Sequence, residues 1–86
     1  MSDGAVKGNN PDLWQKLLAE LDEKLQLGLL DRMKRVRAYH FESDTLFIEL
    51  GNEEDEKYFK NGGSFQHLEL IAQDATRVRE VRLRTK

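Results

Sequence analysis

The stretch Val36–Leu50, VRAYHFESDTLFIEL, decides the fold. Leu46, Ile48 and Leu50 alternate with polar or exposed-type positions, the period-2 mark of a half-buried strand. Tyr39 and Phe41 alternate in the same way on the run before. Between the two runs, Glu42-Ser43-Asp44-Thr45 is built of turn-tolerant polar residues. A two-residue loop (Ser43-Asp44) and a four-residue loop (Glu42–Thr45) give one register, with Phe41 opposite Leu46 and Tyr39 opposite Ile48. One face of this hairpin then carries Tyr39, Phe41, Leu46, Ile48 and Leu50 and is the expected core. The other carries Ala38, His40, Phe47 and Glu49.

Working outward, Asn10 can cap a first helix, with Pro11 at its first position, where a missing N–H costs nothing. Leu13, Trp14, Leu17, Leu18, Leu21 and Leu25 recur at three- and four-residue spacing as an apolar stripe, and Gly28 is the expected stop. A short helix over about Leu29–Lys34 follows. Arg32, Lys34, Arg35 and Arg37 form a basic cluster read as a solvated helix end. Beyond the hairpin, Gly51-Asn52 breaks the strand, and Glu53–Lys60 reads as a third helix with a solvated acidic start. Asn61-Gly62-Gly63 is a turn. Ser64 can cap a fourth helix whose inner face holds Phe65, Leu68, Ile71, Ala72 and Ala75. Glu80–Thr85 alternates Val81 and Leu83 with Arg82 and Arg84, as a half-buried third strand does. Met1–Asn9 is small and polar and is expected to be a disordered lead or linker, leaving residues 10–86 as a single domain. The expected fold is α+β, in the order α-α-β-β-α-α-β: a three-stranded sheet with helices packed on one face.

Composition narrows the function. The chain has 86 residues, 14 basic and 16 acidic side chains and no cysteine. It is long enough for one small core. Interleaved charges give no global field for nucleic acid, and the missing thiols remove disulfides, zinc–thiolate sites and cysteine nucleophiles together. No apolar run approaches the roughly 18–20 residues of a membrane span. A cytoplasmic protein is expected. His40 and His67 fall in different elements without other spaced ligands, so no metal site is expected. Glu53-Glu54-Asp55-Glu56 lacks the alternating ligands and central glycine of a calcium loop. No serine, threonine or lysine has a context that would activate it as a nucleophile, and no cofactor motif is present. The candidate functional residues are therefore apolar side chains expected to be only partly buried, and so available to a protein partner: Leu29, Phe47, Tyr58 and Phe59.

The order Leu13-Trp14-Gln15-Lys16-Leu17-Leu18, then a short leucine-rich helix, then Ser43-Asp44-Thr45-Leu46-Phe47-Ile48, Glu56-Lys57-Tyr58-Phe59, Phe65–Ala72 and a closing Val-Arg-Leu-Arg resembles the C-terminal domain of bacterial DNA polymerase III gamma/tau subunits. The N-terminal domain of the replication initiator DnaA shares the layout. That family's Phe-x-x-Trp is missing at Leu29–Lys34, however. Both resemblances imply a KH-like interaction module of the replisome. The first implies a domain that tethers the polymerase catalytic subunit to a clamp loader whose ATPase module lies outside this chain. The alternative is a KH-like binder of RNA or single-stranded DNA. KH domains clamp phosphates with a Gly-x-x-Gly loop between helices, and Asn61-Gly62-Gly63-Ser64 occupies a comparable turn, with Arg77, Arg79, Arg82 and Arg84 near one end. The glycines here are adjacent and the turn holds no basic residue.

Overall fold

A computed structural model describes residues 7–60 and 63–84. The elements are α1 (Pro11–Glu23), α2 (Leu27–Lys34), β1 (Ala38–Glu42), β2 (Thr45–Glu49), α3 (Glu53–Lys60), α4 (Ser64–Thr76) and β3 (Glu80–Arg84), an α+β domain. The sheet order is β1-β2-β3. β1 and β2 are antiparallel, with Phe41 opposite Leu46 and Tyr39 opposite Ile48, as the alternation requires. The loop is the two-residue one, and Ser43 takes a left-handed φ of 54° to close it. β3 joins β2 in parallel, which α3 and α4 make possible by carrying the chain back across the sheet. β2 is thus the central strand, and Leu46 and Ile48 are completely buried.

The core lies between the Tyr39/Leu46/Ile48/Val81 face of the sheet and a helical layer contributing Trp14, Leu17, Leu21, Leu30, Met33, Leu68 and Ile71. α1 packs on both α2 and α4. Its start follows the sequence: Pro11 is the first helical residue and the Asn10 side chain accepts the Leu13 N–H at 3.2 Å. Its end does not. The helix stops at Glu23, well before Gly28, in a Schellman closure. The Gln26 N–H donates to Leu21 O at 2.8 Å and the Leu25 N–H to Asp22 O at 3.0 Å. Leu25 takes the left-handed position of that closure, with φ 59°. It therefore leaves the stripe that its spacing from Leu21 suggests and lies 76% exposed. α4 also starts differently from expectation. Gly63 holds the N-cap position, Ser64 is the first helical residue, and no side chain caps the helix.

Of the expected lead, residues 1–6 lie outside the described residues. Residues 7–9 lie along the outer edge of β1, with Lys7 bridging Ala38 in parallel. The composition reads as linker because the pairing uses the Lys7 backbone and the Asn9 side chain rather than apolar residues.

Candidate functional site

The partly buried apolar set divides in two. Leu29 and Phe59 are each only 3% exposed and belong to the core. The early end of α1 lets α2 begin at Leu27 and turn Leu29, Leu30 and Met33 inward together. α3 is short and packs on α4, so the face holding Asp55 and Phe59, one turn apart, points inward. Tyr58, about 100° around that helix, is left half-buried at the rim. It meets Phe59 edge-on at 5.3 Å. The Arg32 guanidinium lies 3.6 Å over the Tyr58 ring. Phe47 is half-buried on the outer sheet face. Arg84 lies 4.6 Å from its ring centroid, and His40 tilts against it at 6.4 Å.

The acidic and basic runs meet in an arrangement that neither run announces. Asp55 is fully buried. Its carboxylate accepts from Arg35 Nε at 3.0 Å and Nη2 at 2.8 Å, and from Asn52 Nδ2 at 3.3 Å. Arg32 Nε approaches to 3.5 Å. Asn52 Oδ1 in turn accepts the Asp55 N–H at 2.8 Å, capping α3. The hydrogen bonds from Arg35 hold the Asp55 carboxyl below the usual carboxylate range, outweighing the opposing effect of burial. The same pairing raises Arg35. The two runs are therefore not simply solvated helix ends: Arg32 and Arg35 clamp the end of α2 to the first turn of α3. A buried carboxylate held by two guanidiniums is a structural lock, since its lone pairs are already engaged.

The open sheet face is mixed in charge. Alternation places Glu42, Glu49 and Glu80 there against Arg82 and Arg84, and Arg37 and Arg82 pair with Glu49 and Glu80. Such a face lacks the basic stripe that tracks a phosphate backbone. Among the described residues, no group of three or more His, Asp or Glu side chains could hold a metal ion, and no helix is long and apolar enough to cross a membrane.

Among the described residues, the exposed large apolar side chains are Leu25, Leu27 and Leu70. Lys24 and Leu70 line one groove between the end of α1 and α4, and Gln26 and His67 line the adjoining one. The corner that follows α1 and the outer side of α4 are therefore neighbours. Sequence reasoning missed this surface. Leu25 looked like core by spacing, and Leu27 and Leu70 fit no stripe. That misfit to the helical period was the available signal.

Comparison with known proteins finds no match, whether to a family model, a curated protein or a solved structure.

Proposed function

We propose that this domain is a non-catalytic protein-interaction module of a bacterial DNA replication factor, cytoplasmic, and similar in role to the polymerase-tethering C-terminal domain of gamma/tau subunits. The replication assignment rests on the resemblance of the motif order from Leu13 to Arg84. The observation that carries an interaction role is Leu25. A large apolar side chain is 76% exposed there and sits at φ 59°, where glycine is favoured. Solvation and backbone energy both disfavour leucine at this position, and strain of this kind concentrates at functional surfaces. Leu27 and Leu70 are also exposed, at 56% and 65%, and Leu70 shares a groove with Lys24, the residue before Leu25. Tyr58 and Phe47 remain candidate contacts at the rim and on the open sheet face. Leu29 and Phe59 do not.

Binding to an immobilised polymerase III catalytic subunit tests the reading. The wild-type domain is expected to be retained at about 50 μM or below, and Leu25→Gly to weaken retention while the fold is kept. No retention at that concentration rejects the tether assignment.

A further inference from the structure

We infer that the outer edge of β1 is an acceptor site for an extended strand of a protein partner, filled in this chain by its own segment Lys7–Asn9. The inference is independent of the replication assignment. β1 is a rim strand of the sheet. The Tyr39 N–H donates to Lys7 O at 2.9 Å. The Phe41 N–H donates to Asn9 Oδ1 at 2.8 Å, and Phe41 O accepts from Asn9 Nδ2 at 2.7 Å. A side-chain amide thus takes the place of a strand's peptide group. The segment buries no side chain of its own, since Lys7, Gly8 and Asn9 are all exposed. Its hold is made of hydrogen bonds to a strand edge plus one glycine contact, which makes it exchangeable.

Strand addition takes its affinity from main-chain bonds and its selectivity from a few side-chain positions. The selecting position here is the one over Tyr39. A Cβ at Gly8 would overlap the Tyr39 ring at Cζ, Cε1 and Cε2. The ring cannot retreat, because the Trp14 indole stacks on it at 4.3 Å, nearly parallel, and Phe41 meets it edge-on at 5.6 Å. An incoming strand therefore needs glycine at that position. It holds Phe41 either with an Asn or Gln side chain at the next residue or with continuing backbone. β1 runs over five residues, Ala38–Glu42, so a longer strand gains bonds that the resident segment does not make.

The test uses the full chain carrying Gly8→Val, read by residue-resolved amide hydrogen exchange. Protection at Tyr39 and Phe41 is expected to fall at least about tenfold while Leu46 and Ile48 stay protected. A synthetic peptide with the sequence of residues 3–12 is then titrated. It is expected to bind the variant with a Kd of about 1 mM or tighter and to restore protection at Tyr39 and Phe41. The same peptide carrying Gly8→Val should not bind. Wild-type chain should bind the peptide severalfold more weakly, because its own segment competes at an effective concentration in the millimolar range. Unchanged protection in the variant, absence of peptide binding at about 5 mM, or equal binding of the valine peptide overturns the inference. If Gly8→Val unfolds the domain, Asn9→Ala removes both bonds to Phe41 without touching the Tyr39 ring. Global unfolding of that variant as well would make the segment an integral part of the core and overturn the inference.

Discussion

Replacing Asp55 with asparagine keeps the side-chain volume and removes the charge at the junction of α2 and α3. In the native domain the carboxylate accepts from Arg35 Nε and Nη2 and from Asn52 Nδ2, with Arg32 Nε close by. Asparagine retains one acceptor oxygen and turns an amide NH2 toward a guanidinium. A hydrogen bond to a charged group contributes about 1.5–3 kcal/mol net. The Arg32 and Arg35 side chains are 25% and 45% exposed, so their guanidiniums keep contact with water even though Arg32 Nε itself is buried, and no full penalty for a stranded buried cation is added. The expected loss is about 2–3 kcal/mol at pH 7, a large share of the stability of a domain this small. The pH dependence has a definite sign. Asp55 is lowered from 3.8 in the folded state, so its contribution is present above about pH 4 and is lost as pH falls through the lower, folded value. At pH 3 the unfolded form is already mostly protonated, and up to about 1 kcal/mol of the contribution has gone. Urea unfolding followed by the fluorescence of Trp14, the buried sole tryptophan, measures both quantities. A difference between wild type and Asp55→Asn under about 0.5 kcal/mol at pH 7, or one that does not narrow between pH 7 and pH 3, would refute the lock.

Leu25→Gly is expected to stabilise the domain. Relief of the left-handed backbone contributes about 1–2 kcal/mol, the freer unfolded chain takes back about 0.4–1 kcal/mol, and little burial is lost. Urea unfolding should show a net gain of about 0.5–1 kcal/mol. Phe47→Ala should cost no more than about 1–2 kcal/mol, since the ring is half-buried and shares one cation–π contact with Arg84. Its larger effect should be on partner affinity, so thermal melts and binding measured side by side separate the two. Leu46→Ala, at the centre of β2, should lose about 2–5 kcal/mol of stability by denaturant titration.

The hairpin was legible because its information is local. Tyr39, Phe41, Leu46 and Ile48 alternate on either side of a polar turn, and a one-residue slip would turn them all outward. The cap of α1 was legible for the same reason. What escaped the sequence depends on residues far apart or on a local closure that periodicity does not encode. Leu25 stands four residues after Leu21, and spacing alone cannot show that the chain leaves the helix after Glu23. Asp55 sits in a uniform acidic run, and its partner Arg35 is twenty residues away, so nothing local singles out one carboxylate for burial. Phe59 and Tyr58 are adjacent, and only the packing of α3 on α4 decides which turns inward. The role of residues 7–9 rests on Gly8 lacking a side chain and Asn9 imitating a backbone, neither of which composition separates from a linker.

The two rims of the sheet are insulated by different chemistry. At β3 the Val81 N–H donates to Glu69 Oε2 at 2.9 Å, so a side chain from α4 occupies one donor of that rim. At β1 the cover is three exposed residues and a glycine contact. Opening the β1 rim leaves the other in place, and a sheet growing through that one rim accepts one strand or meets its own kind about a twofold axis. Self-association through the β1 rim alone therefore ends in closed pairs, whereas a filament would need a second free rim on every molecule.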